Sequence, residues 1–159
     1  MTELENLLER FRRGGELIAV VTTGVAGAEL DFRPEPGKWS IRQIVCHLAD
    51  TELVLATRCR GILAEHEPQL IRFDQNAWAG NLDYQRRKIS HAVESFRRLR
   101  AENFDLLKEQ PTEAFDRAGI HNEKGRITLL SILSTYAAHV ESHARQIQSA
   151  RQAYKQSKA

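Results

Sequence analysis

The sequence lacks any run of about 18 or more apolar residues, so no stretch of it reads as a membrane-spanning helix. It also lacks the basic start and apolar centre of a signal peptide. Its opening, Met1-Thr2-Glu3-Leu4-Glu5, is acidic and then amphipathic, as expected of a cytoplasmic protein. Charge of one sign is scarce: the net charge is only +2, too little to suggest nucleic acid or a membrane surface as a partner. Cysteine is scarce too. Cys46 and Cys59 fall on one expected helix, roughly 20 Å apart at 1.5 Å per residue. A disulfide needs Cα atoms within about 7 Å, so both read as reduced and packed. Internal repeats and low-complexity tracts are absent, and so is any sign of a second domain. The 159 residues are expected to form one domain, 1–159.

What is present is helical periodicity in a soluble composition, 42% hydrophobic and 28% charged. The first helix is expected over Thr2–Val25, with Leu4, Leu7, Leu8, Phe11, Leu17, Ile18 and Val21 as its apolar stripe. Thr2 and Glu5 form a capping box, and Gly14-Gly15 suggests a kink. Pro34, Pro36 and Gly37 mark a loop over Gly27–Lys38. Ser40 and Gln43 form a second capping box and open a helix that ends near Glu65, before Pro68. A connection over Glu67–Leu82 holds Phe73, Asp74, Gln75, Asn76 and Trp78; long ordered loops of this kind are often functional. A third helix is expected over Asp83–Glu109, closed by Pro111. Gly119 and Gly125 flank a hairpin-like loop, and Thr128 caps a fourth helix reaching Tyr154. Four helices without convincing strands predict an all-α fold, a four-helix bundle with one long crossover connection.

Three of the six histidines stand out. His139 and His143 are spaced i, i+4, which places them on one helix face about a turn apart. His47 shares a face of the second helix with Ile44, Thr51 and Leu55. One imidazole from one helix and two from another make a three-nitrogen metal site that leaves positions open for water or substrate. Spacing alone leaves open whether those helices are neighbours. A zincin protease is excluded, because Val140 follows His139 where a His-Glu-x-x-His motif needs glutamate. No nucleophile elbow, phosphate loop or Cys-x-x-Cys pair occurs.

Pro36-Gly37-Lys38-Trp39-Ser40 leading into His47-Leu48-Ala49-Asp50, then Phe73-Asp74-Gln75-Asn76-Ala77-Trp78, then His139-x-x-x-His143-x-x-Gln146-Ile147, resemble the DinB-like (YfiT-like) metal-dependent superfamily over nearly the whole chain. The resemblance implies a four-helix bundle, commonly a homodimer, with a divalent metal on His47, His139 and His143. Such families include S-transferases that use bacillithiol or mycothiol, a mycothiol-dependent maleylpyruvate isomerase, and amidohydrolase-like members.

The expected function is therefore a metal-dependent S-transferase using a low-molecular-weight thiol and a small electrophilic substrate, with zinc or nickel as the metal suited to imidazole and sulfur. A metal-dependent hydrolase is the main rival, with Asp50 and Asp74 as its candidate acid–base residues. Asp50 otherwise reads as an outer or exposed carboxylate, and Asp74 as a brace for its loop. A non-enzymatic, metal-stabilised stress-response protein is a third reading. Trp39 reads as a packing anchor, Trp78 as a wall of the site or a tie for its loop, Tyr136 as core or site, and Gln146 as an orienting partner for a histidine. His66, His91 and His121 are not expected to be ligands. Arg86, Arg87 and Lys88, like Arg97, Arg98 and Arg100, read as solvated helix faces rather than a nucleic-acid surface.

Overall fold

The computed structural model describes all residues, 1–159, and its architecture is four long helices with short elements in the connections. The long helices are α1 (Glu3–Val21), α3 (Ile41–Ala64), α5 (Ile89–Lys108) and α6 (Leu129–Ser157). Short helices α2 (Ala28–Asp31) and α4 (Gln75–Asn81) lie in the first two connections, and a hairpin of β1 (Ala118–His121) and β2 (Gly125–Thr128) in the third. None of the helices is long and apolar enough to cross a membrane.

Local chemistry sets the helix starts. Thr2 Oγ1 accepts from Glu5 N while Glu5 accepts from Thr2 N, and Ser40 and Gln43 repeat the exchange at α3. Thr128 caps α6 by accepting from Ser131 N. Some ends differ from the sequence reading. α1 stops at Val21, where the hydroxyl of Thr22 bonds back to the Ile18 carbonyl. Helix α5 starts at Ile89, after a separate turn of 3₁₀ helix at Tyr84–Arg86. The expected loop before Lys38 contains α2, and the aromatic-rich connection contains α4.

Helix α1 packs against α5 and α6, and α3 packs against the same two, so α1 and α3 take opposite corners of the bundle. Apolar residues form two clusters. One gathers Ile18, Ile44, Leu48, Phe96 and Ile147; the other gathers Phe11, Leu55, Ile62, Leu107 and Leu133. Between them on α3 lie Asp50, Thr51 and Glu52, all buried, so a polar layer divides the core.

One half of that layer is an ion pair. Arg100 Nε and Nη2 donate to the Glu52 carboxylate at 2.8 and 2.7 Å, and Asn103 Nδ2 donates to it at 3.0 Å. Arg100 Nη1 donates to the Phe11 carbonyl at 2.8 Å, and the guanidinium lies 3.9 Å from the centre of the Phe11 ring. Arg100 is therefore not on a solvated face; it is 1% exposed, and a buried charge is tolerable only with such partners. The same cluster explains Gly14-Gly15. Helix α1 runs continuously through both, and a methyl on Gly14 would stand 2.7 Å from Arg100 Nη1. Gly14 makes room for a guanidinium rather than a bend, while Gly15 would accept a methyl at ordinary contact distance.

The hairpin is stitched to the segment after α3. Leu70 N donates to the Ile120 carbonyl at 2.9 Å, and Ile120 N donates to the Pro68 carbonyl at 2.8 Å. Gly119 permits this approach, since a methyl there would lie 2.4 Å from Leu70 Cδ2. The short strands were not expected beyond a hairpin-like loop; they exist because this segment supplies a third backbone to pair with.

Candidate metal centre

The other half of the polar layer is the three histidines. Helices α3 and α6 are neighbours, which the sequence could not establish, and they bring His47 to His139 and His143. His47 Nε2 lies 3.3 Å from His139 Nε2, which lies 3.0 Å from His143 Nε2. One nitrogen from each ring falls within 4.8 Å of the others. His66, His91 and His121 stand outside this group.

Burial is the main cause of the electrostatics. It pushes the His47 imidazolium down to about 3, helped by repulsion from His139 and His143, and His139 down to about 4. His143 is lowered by burial as well, against a bond to Gln146 that favours its charged form. The three rings are neutral near pH 7, with lone pairs available. His143 Nδ1 bonds Gln146 Oε1 at 2.8 Å, which makes Nδ1 the protonated nitrogen and leaves Nε2 bare toward the centre. Three neutral imidazole nitrogens converging on one point, with no acidic residue among them, fit a divalent cation with borderline-soft preference. His139 Nδ1 is buried with no partner.

Aromatic residues wall the site. Trp39 has its ring centre 4.9 Å from that of His47, and Phe73 lies nearly parallel to His47 at 6.1 Å. Trp78 meets Phe73 edge-on at 4.8 Å, so it ties the loop down behind Phe73. Thr51 Oγ1 sits 3.4 Å from both nitrogens of His47. Trp39 and Phe73 were not recognised as neighbours of His47 in the sequence; Trp39 precedes the Ser40 cap, so helix spacing carries no signal for it.

A cleft of ≈ 200 Å³ opens beside the histidines, lined by His47, His139, Thr51, Arg58, Phe73 and Tyr136 among others. No aspartate or glutamate lines it. Asp50 shares the face of His47 but is engaged elsewhere: Tyr84 Oη donates to one of its oxygens at 2.6 Å and Arg87 Nη1 to the other at 2.8 Å. Arg87 is thereby a partly buried partner, not a solvated charge. Asp74 caps α4, accepting from Ala77 N at 3.0 Å, and stands in an outer groove that shares Phe73, Gln75, His121 and Lys124 with the cleft. Cys46 is packed in the core with Sγ 3.9 Å from the Tyr84 carbonyl, away from the three nitrogens, and neither cysteine is in a disulfide.

Comparison with known proteins agrees with this geometry. A relative in Bacillus licheniformis is 30% identical over 145 residues, covering 89% of this chain and 81% of its own. YfiT of Bacillus subtilis is 29% identical over 117 residues, 73% of this chain and 66% of its own. Another relative, in Oceanobacillus iheyensis, is 27% identical over 115 residues, and this chain spans just under two thirds of it, 66%. All three bear the name "Putative metal-dependent hydrolase". Among solved structures, Bacillus subtilis YfiT, described as having an unusual four-helix bundle topology, superposes with a TM-score of 0.87 at 23% identity, over 94% of this chain and 87% of that one. A mycothiol-dependent maleylpyruvate isomerase superposes with a TM-score of 0.73 at 15% identity, over 92% of this chain and 61% of that one. The sequence model of one family matches residues 10–147, from within α1 to within α6 and including all three histidines, and the chain belongs to that family, the DinB superfamily.

Proposed function

We propose that this protein is a metal-dependent S-transferase that joins a low-molecular-weight thiol to a small electrophile. The observation that carries the reading is the absence of any carboxylate from the cleft beside the three imidazoles. Hydrolysis calls for a positioned group to move protons between water and the leaving group, within about 3 Å of them. Asp50 has both oxygens taken by Tyr84 and Arg87, and Asp74 is exposed in the outer groove. A thiol asks for less, since it ionises near pH 8.5 unaided.

His47, His139 and His143 would hold the cation, zinc or nickel being suited to nitrogen and sulfur together. When bound among neutral ligands, such a cation keeps its charge and lowers the pKa of a nearby thiol. The chain's own contribution is placement. Gln146 fixes the tautomer of His143, while Trp39 and Phe73 exclude water from one side of His47. The mycothiol dependence of one structural neighbour supports a thiol co-substrate. The names of the relatives favour hydrolysis as the second reading; there His121, which lines the cleft, and Asp74, with one oxygen unbonded in the adjoining groove, are the candidate acid–base groups. A homodimer in the cytoplasm completes the proposal, with light scattering as the check on assembly.

The deciding experiment is elemental analysis of the purified protein beside a His143→Ala variant, followed by turnover with bacillithiol or mycothiol and monochlorobimane. About one zinc or nickel per chain, lost in the variant, with thiol consumption that follows metal content, is the expected result. No metal uptake after reloading with zinc, nickel or manganese would end the assignment. Ester or amide hydrolysis without thiol turnover would replace it with the second reading.

A further inference from the structure

Arg58 stands on α3, eleven residues and about three turns beyond His47. It is 8% exposed and makes no ion pair. Its Nε and Nη2 both donate to the Ile71 carbonyl, at 3.2 and 2.8 Å, and Nη1 donates to Tyr136 Oη at 3.2 Å. The chain's other strongly buried arginine is treated differently: Arg100 has the Glu52 carboxylate in bidentate contact. A guanidinium cannot shed its charge, and leaving one buried without a counter-charge is unfavourable. Of its five hydrogens three are used, which leaves one on each terminal nitrogen.

The surroundings share this bias. Arg58 lines the same cleft as His47 and His139, and no acidic side chain lines that cleft with it. Tyr136 Oη accepts from Arg58 but donates to nothing in the chain, so its proton is also available. Lys124, at the turn of the hairpin, and the hydroxyls of Ser131 and Thr135 line the cleft as well. Phe73, Ile127 and Ile132 provide apolar wall between these polar groups.

We propose that the cleft is an anion subsite, in which Arg58 and Tyr136 receive the carboxylate of a small, partly apolar substrate. The assignment of that anion to the electrophilic substrate rests on the S-transferase reading. Tyr136 has its ring centre 6.2 Å from that of His139, so the subsite and the three imidazoles bracket a single small molecule. Two hydrogens on one planar fork match the two oxygens of a carboxylate, and a cleft of ≈ 200 Å³ with apolar walls suits a short hydrocarbon body better than a phosphate.

The test uses benzoate, its neutral counterpart benzamide, and inorganic phosphate, titrated by calorimetry into metal-free and metal-loaded protein. Benzoate is expected to bind both forms, and benzamide about tenfold more weakly or less. Arg58→Gln and, as a variant that keeps the ring packing, Tyr136→Phe are each expected to weaken benzoate by about tenfold while leaving benzamide unchanged. No benzoate binding at millimolar concentration overturns the proposal, as does equal binding of benzoate and benzamide or wild-type affinity in Tyr136→Phe. Phosphate displacing benzoate with the same dependence on Arg58 moves the subsite from a carboxylate to a phosphate ligand and overturns the substrate class. Because the metal-free titration stands alone, a protein that binds benzoate through Arg58 yet takes up no metal would refute the S-transferase reading and leave the subsite intact.

Discussion

Replacing Arg100 by methionine keeps an apolar stem of similar length and removes the charge. Glu52, 1% exposed, would then retain only the Asn103 amide as a donor. Removing one partner of a buried pair costs about 3–5 kcal/mol, chiefly because the remaining charge is stranded. Stacking on Phe11 and the bond to its carbonyl are lost as well, which places Arg100→Met toward the upper end. A domain of this size has roughly 5–15 kcal/mol in total, so the variant should lose a large part of its stability. At about 2–4 °C per kcal/mol, the melting temperature should fall by roughly 10–20 °C. The double variant Arg100→Met, Glu52→Leu removes both charges and should recover more than half of the loss, since a buried pair replaced by apolar groups is often near neutral. Urea unfolding of the four proteins, wild type, two singles and the double, yields the coupling energy directly. An Arg100→Met cost below about 1 kcal/mol, or additive effects in the double, would refute the account of the pair as one electrostatic unit.

Gly14→Ala puts a methyl 2.7 Å from the Arg100 Nη1 atom, which cannot retreat from Phe11 and Glu52; it should destabilise by about 1–3 kcal/mol, although alanine is the better helix former. If thermal unfolding shows a gain instead, the guanidinium is not pinned. Asp50→Asn removes the charge facing Arg87 and should lower stability by about 1–3 kcal/mol without changing the bound metal, measured by denaturation and elemental analysis; loss of the metal would reassign Asp50 to the centre. Alkaline pH acts on the thiols. Burial holds the Cys59 thiol up at about 12 and the Cys46 thiol up at about 11, while both ionise near 9.0 when unfolded. The unfolded chain therefore sheds protons first, so this stability is full below pH 9 and is lost as pH rises from 9 toward 12. The decline, followed by urea titration, should be shallower in Cys59→Ala, and an identical slope would contradict the assignment.

Local patterns in the sequence carried much of this structure. Thr2 with Glu5, Ser40 with Gln43, and His139 with His143 each depend on residues three or four apart, and helix geometry brings such residues together whatever the fold. Gln146 was readable for the same reason. What escaped the sequence depends on which helices touch. Arg100 meets Glu52 across 48 positions, and in a row of basic residues it is indistinguishable from its solvated neighbours Arg97 and Arg98. The tie from Tyr84 and Arg87 to Asp50 was hidden likewise, because a short 3₁₀ turn had been absorbed into the third helix. Trp39 reads in the sequence only as a packing anchor, and only the folded chain shows its ring beside His47.

The stitching of Leu70 to Ile120 has a consequence for traffic through the cleft. Phe73 lies three residues after that stitch and one residue before the Asp74 cap of α4. At 3.3–3.6 Å per residue, the four steps from Leu70 to Asp74 span at most about 13–14 Å of backbone, and the Ile71 carbonyl between them is held by Arg58. The aromatic cover over His47 is thus a tethered pane rather than a swinging door. Movement of that cover is therefore confined to the Phe73 ring turning about its own bonds, because the backbone on either side is pinned.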